Sequence, residues 1–268
     1  MELLRLADGG AATGAATVEV GPKEEAGGGA TLILGALPNE VAGVRRALSS
    51  RKTLHLDGLR LDVGLVEGPR GPSTVVVAAT GIGRARALAA FERAAREFPP
   101  ARVLSVGFCG ACRDGIGTGQ LVLGEPLLNE PAAEVVRADP ALLESVRRAA
   151  REAGVALVEG PCVTVNVIAS PGAKRSLFEH SGAIACEMEG HPLALASRAR
   201  GTPFAALYSV FDTVDEALPN AAGLGTEPFI HVVARRPGIL LAVPGLALRF
   251  MKASRALTRA LRAWLGAL

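Results

Sequence analysis

Short runs of apolar and β-branched residues alternate with helical stretches along most of this chain, and several runs end in a glycine-bearing or acidic turn. That alternation is what most narrows the possible folds. Thr31-Leu32-Ile33-Leu34 reads as a buried strand running into the turn Gly35-Ala36-Leu37-Pro38-Asn39-Glu40, with a helix expected over 40–48. Strands expected over 53–56 and 59–66 flank Asp57-Gly58, a hairpin signal because both residues tolerate positive φ. A run over 73–79, centred on Val75-Val76-Val77, ends at Thr80-Gly81-Ile82-Gly83. A helix over 84–97 follows and is closed by Pro99-Pro100. The next strand, over 103–106, is expected to stop at a turn, Gly107-Phe108-Cys109-Gly110. Further strands are expected over 121–127, 162–168, 183–188 and 203–210, with helices over 140–153, from Pro171, and over 189–200. Strands alternating with helices predict one α/β domain with a largely parallel or mixed sheet.

Composition agrees. Hydrophobic residues make up 49% of the 268 and aromatics only 4%, so Ala, Val and Leu must build a large core. That excludes a wholly disordered chain. The 32 Gly and 17 Pro follow no triplet period, which excludes collagen. The region from His231 to Leu268 carries Arg235, Arg236, Arg249, Lys252, Arg255, Arg259 and Arg262 and no acid. The net charge is +3, so the remainder is mildly acidic. Such a body is not expected to bind nucleic acid, and the basic region suggests a partner of its own. The chain is expected to divide into a flexible extension (1–29), a main α/β domain (30–230) and a basic helical segment (231–268).

Cys109 and Cys112 form a C-x-x-C, but no second pair or spaced histidines complete a metal set. Buried thiols in a reducing cytoplasm are the simpler expectation, with no metal and no cofactor. No basic-then-apolar leader is visible, and the apolar run 239–248 is too short to span a bilayer, so a cytoplasmic location is expected.

In α/β sheets ligands bind beyond the carboxyl ends of strands. That rule selects the turns at 35–40, 80–84, 107–110 and 211–215 and the junction Met188-Glu189. Asp212 ends an almost wholly apolar strand. Desolvation there raises a carboxyl pKa, so Asp212 can hold a proton for a leaving group, or can be a plain turn aspartate. Glu189 can accept hydrogen bonds from vicinal hydroxyls above the apolar floor of Met188, or can complement a helix dipole. Glu40 can activate water or favour a helix N-terminus. Thr80-Gly81-Ile82-Gly83 is followed by no phosphate-loop lysine.

Taken together, five segments resemble the nucleoside phosphorylase/nucleosidase superfamily, in particular its methylthioadenosine/S-adenosylhomocysteine nucleosidase branch. They are Gly35–Val41, Thr80–Gly83, Val106–Ala111, Ile184-Ala185-Cys186-Glu187-Met188-Glu189-Gly190, and Pro203 through Asp212 to Asp215, in family order. The resemblance implies an α/β/α sandwich around a central mixed, twisted sheet. It implies that Asp212 protonates the purine, Glu40 deprotonates the attacking water, and Met188 and Glu189 bind the ribose. Gly81, Phe108, Cys109 and Gly110 would wall the site, and Val167 and Ile168 would contact the base. The substrate would be a small-molecule purine nucleoside, most simply a 5′-substituted adenosine. The resemblance also implies a homodimer or larger homo-oligomer.

Where family phosphorylases carry a phosphate-binding Arg and Ser, this chain has Ser105 and Phe108, and it lacks their early phosphate loop. Hydrolysis is therefore expected over phosphorolysis. The stretch Asp212–Pro219 with Arg235-Arg236-Pro237-Gly238 resembles hopanoid-associated members, which implies an alternative: phosphorolytic or hydrolytic adenine removal from a lipid-linked nucleoside at the membrane surface. A catalytically silent nucleoside binder is a third reading. At helical spacing Leu246, Phe250, Ala253, Leu257, Leu261 and Trp264 share one face and the basic residues the other. Such a helix either packs on the body or makes peripheral contact with the inner membrane face.

Overall fold

The computed structural model describes residues 29–130, 134–218 and 244–268. The extension up to residue 28 and the Arg235–Gly238 stretch lie outside them. The described strands are β1 (Ala30–Gly35), β2 (Ser49–Leu56), β3 (Leu59–Gly68), β4 (Gly71–Ala79), β5 (Pro100–Ala111), β6 (Leu121–Asn129), β7 (Val135–Val136), β8 (Leu157–Thr164), β9 (Ala185–Glu187) and β10 (Phe204–Asp212). The helices are α1 (Ala42–Ala47), α2 (Arg84–Glu97), α3 (Pro140–Glu152), α4 (Pro171–Ser181), α5 (Gly190–Ala199) and α6 (Pro244–Leu265).

All the strands join one mixed sheet, in the order β10-β6-β8-β9-β5-β1-β4-β3-β2, with β7 beside β6. At its centre β1, β4, β5 and β10 run parallel. Because β10 pairs with β5 as well as β6, the strands β5, β10, β6, β8 and β9 close on themselves. Alternation along the central strands feeds two cores. Leu32, Leu34, Val76 and Ala78 pack toward α2 and α5, while Ile33, Val75 and Val77 face the layer of α1, α3 and α6. A parallel sheet covered on both faces needs such continuous apolar runs.

Local signals explain most boundaries. Asp57 and Gly58 both have positive φ, 47° and 79°, as the tight β2–β3 turn requires. Asp139 caps α3 by accepting from the Leu142 N–H at 2.8 Å, with Pro140 in the first turn. Ser170 caps α4, and Gly182 ends it in the left-handed region.

Three expectations need correction. The stretch Gly107–Gly110 is not a turn: β5 runs on to Ala111, because β10 pairs with it on one side and β9 on the other. Strand β8 ends at Thr164, so residues 165–168 lie in the loop before α4. Helix α1 begins at Ala42, which leaves Glu40 in the turn that precedes it.

Helix α6 packs on α1, α3 and β10. Leu246, Ala253, Leu257, Leu261 and Trp264 are all buried. The Trp264 indole N–H donates to the Ser145 hydroxyl on α3 at 3.0 Å, and Arg259 donates to the Ala153 carbonyl at 2.6 Å. The apolar face that a membrane would need is thus the face turned to the body. No helix among the described residues is long and apolar enough to cross a membrane.

Candidate active site

The carboxyl ends of β1, β5, β8, β9 and β10 surround one recess of about 870 Å³, counting the space at its mouth. A recess at the carboxyl ends of the strands is where open α/β sheets bind small ligands. Among the sequence-derived candidates, Glu40, Phe108, Cys109, Gly110, Ile168, Met188, Glu189 and Asp212 all border it.

Two candidates do not. Val167 is 71% exposed and turns away from the cavity, because β8 has already ended and the loop no longer alternates toward the interior. Gly81 is also off the wall. With φ at 81°, it donates its N–H to the Ala36 carbonyl at 3.0 Å and so fastens the turn after β4 to the turn after β1.

Glu40 is 6% exposed. Its two carboxylate oxygens accept from the Leu37 N–H at 2.7 Å and the Phe108 N–H at 2.9 Å. Burial raises its pKa to about 7, against the pull of those hydrogen bonds. Gly107 makes this approach possible, since a Cβ there would lie 3.0 Å from the Glu40 Oε1. Glu40 does not serve the helix terminus: its fixed carboxylate faces the cavity.

Glu189 accepts from the Gly83 N–H at 2.6 Å. Burial and the neighbouring Glu187 push its pKa well up. Sequence reasoning gave Glu189 two roles, and the helix-terminus role belongs instead to Glu187. One oxygen of Glu187 accepts from the Glu189 and Gly190 N–H groups at 2.7 and 2.6 Å. Its other oxygen takes the Thr164 hydroxyl, and Thr164 in turn accepts from the His191 N–H at 2.8 Å. Glu187 thereby frees Glu189 to face the recess. The repeated acid in Glu187-Met188-Glu189 was the available signal.

Asp212 is 4% exposed at the end of β10. Burial raises its pKa, and the Lys174 ammonium, in direct contact with it, opposes the rise. Lys174 was not singled out from the sequence. It lies in Ala173-Lys174-Arg175 on a helix that reads as surface, yet it is fully buried.

One side of the recess is aromatic. The Phe108 ring lies 5.7 Å from Phe211 and 5.8 Å, edge-on, from Phe250 of α6. Helix α6 therefore supplies part of the cavity wall. All four cysteines are free and buried; burial raises the pKa of Cys109 and Cys162, and a hydrogen bond with Cys112, then burial, raises that of Cys186. Among the described residues no group of acidic, Cys or His side chains is placed to hold a metal.

Four carboxyls, those of Glu40, Glu187, Glu189 and Asp212, thus border one cavity. A match to the Phosphorylase superfamily spans residues 31–235. The chain belongs to that superfamily. It is an enzyme of the nucleosidase and nucleoside phosphorylase class. Within the superfamily it is 26% identical over 207 residues to the 5′-methylthioadenosine/S-adenosylhomocysteine nucleosidase of Shewanella sp. (strain MR-7), a match covering 70% of this chain and 85% of that one. The Shewanella loihica nucleosidase is 25% identical, with 70% and 87% covered. Superfamily structures share the fold. The Neisseria meningitidis nucleosidase, solved with methylthio-immucillin-A, superposes with a TM-score of 0.72 at 20% identity, covering 89% of this chain and 99% of the other. The futalosine hydrolase of Helicobacter pylori gives 0.70 at 18%, covering 88% and 97%.

Proposed function

We propose that this enzyme hydrolyses the N-glycosidic bond of a purine nucleoside, most simply a 5′-substituted adenosine, and releases the base. The observation that carries the reading is the convergence of Glu40, Glu189 and Asp212 on one cavity from three distant parts of the chain. The chemistry follows from their surroundings. Breaking the bond puts positive charge on the sugar and negative charge on the base. Glu189 accepts hydrogen bonds from the ribose hydroxyls, with Met188 as an apolar floor. Asp212, its proton affinity raised by burial, protonates the base as the bond electrons move onto it. Glu40, with a pKa of about 7, takes a proton from water as the water oxygen attacks the sugar carbon. Each transfer contributes roughly 10²–10⁴-fold.

Water is favoured over phosphate as nucleophile. Among the described residues lining the cavity, Lys174 is the only cation, and its ammonium is engaged with protein acceptors. The aromatic wall of Phe108, Phe211 and Phe250 suits an apolar 5′ substituent. The names of the matched relatives point to the same bond. The test is adenine release from methylthioadenosine with and without phosphate. Phosphate-independent release, abolished by Asp212→Asn, supports the reading. Release only with phosphate overturns hydrolysis, and full activity of Asp212→Asn overturns the assigned acid.

A further inference from the structure

Lys174 is 1% exposed, and its ammonium lies against the carboxyl proposed as the acid. A buried charge is tolerated only with close partners. Here the three N–H groups of Nζ meet three acceptors: the Asp212 carboxylate, the Thr213 carbonyl at 2.8 Å and the Glu216 carbonyl at 2.8 Å. No donor remains for phosphate or substrate, so whatever Lys174 does, it does through Asp212 and the segment behind it. That segment is closed further. The Thr213 N–H donates to the Glu216 carboxylate at 2.9 Å, and Arg249 of α6 pairs with the other Glu216 oxygen at 2.7 Å. Space for the pair comes from Gly110, where a Cβ would lie 3.1 Å from both the Lys174 Cε and the Asp212 Oδ2.

We propose that Lys174 is the positioning residue of the proton donor: it fixes the Asp212 carboxyl toward the departing base and neutralises the charge left when the proton is gone. The inference rests on the reading of Asp212 as the acid. In the step itself the Asp212 proton moves to a ring nitrogen of the base, the electron pair of the glycosidic bond moves onto the base, and the new carboxylate stands beside an ammonium already in contact. Without that ammonium the same transfer would strand an anion in a dry pocket, which is costly. The other charged or titratable groups facing Asp212 are Glu216 and Arg249, which pair with each other, and the thiols of Cys109 and Cys186. Lys174 is therefore the dominant unshared charge near the acid.

The experiment compares full-length Lys174→Met and Lys174→Arg with the wild type on two substrates. Methylthioadenosine needs its base protonated on departure, whereas p-nitrophenyl β-ribofuranoside releases a stable anion without help. Lys174→Met is expected to lower kcat on methylthioadenosine on the order of 10²-fold, with KM within about threefold. The basic limb of its pH profile moves to higher pH, and the p-nitrophenyl rate changes less than about threefold. Lys174→Arg, which keeps the cation, recovers about tenfold of the loss. Unchanged kcat and pH profile in Lys174→Met overturn the proposal. So do equal losses on both substrates, the mark of a merely structural residue or an unfolded variant. If Asp212→Asn is inactive while Lys174→Met is unaffected, only the role of Lys174 falls. If Asp212→Asn is fully active, the reading of the acid falls, and this inference with it.

Discussion

The backbone N–H of Phe108 donates to the Glu40 carboxylate at 2.9 Å, joining the end of β5 to the turn after β1 across 68 residues. The side chain of the same Phe108 forms part of the aromatic wall. One residue thus holds the proposed base through its backbone and shapes the cavity with its ring.

The pH dependence of activity follows from Glu40. Its carboxyl, with a pKa of about 7, must be ionised to accept a proton. We expect kcat/KM to fall about tenfold per unit below pH ~7, far above the ordinary glutamate range. An acid limb near pH 4.5, measured by adenine release, would remove Glu40 from this role.

Stability should carry the opposite dependence. A carboxyl whose pKa rises from 4.5 to about 7 on folding binds its proton more tightly in the native state. Its contribution is fully present below pH 4.5 and is lost as pH rises toward 7. From this group alone the loss amounts to about 3 kcal/mol. Urea unfolding of wild type and Glu40→Gln at pH 4.5 and 7.5 should show the variant lacking that decline.

Gly107→Ala places a methyl group 3.0 Å from a Glu40 oxygen that is held by two backbone donors. We expect kcat to fall at least about tenfold, since small misplacements of a reacting group are costly. Thermal melting should distinguish this from simple unfolding.

Phe250→Ala opens the aromatic wall from the α6 side. KM for a nucleoside with an apolar 5′ group should rise about tenfold, with kcat changed much less. A nucleoside with a bare 5′-hydroxyl should show a smaller effect. Equal effects on both would separate Phe250 from the 5′ substituent.

Trp264→Ala removes a fully buried indole and its bond to Ser145. A loss of about 3–5 kcal/mol is expected, seen as a melting point roughly 10 °C lower. A neutral outcome would mean that α6 is not part of the core.

Much of the architecture was legible because it is local. Val75-Val76-Val77 and Asp57-Gly58 each specify their conformation through their own chemistry. The acids at strand ends were legible too, because charge beside a long apolar run is conspicuous. What escaped depends on partners far along the chain. Gly107 and Gly110 look like turn residues, but in β5 they are the missing side chains that admit Glu40 and the Lys174–Asp212 pair. Lys174 shows nothing in sequence, since its meaning lies wholly in the β10 end it meets. Val167 was placed in the site by the family resemblance alone, and the strand that would have aimed it inward had already stopped.

Helix α6 offers Trp264 and Leu261 to the interior, Phe250 to the recess and Arg249 to the segment behind Asp212. On the proposed assignment of the site, trimming or fusing anything at this helix is an intervention in catalysis as much as in folding. A library that randomised it for solubility would be sampling reaction rates without intending to.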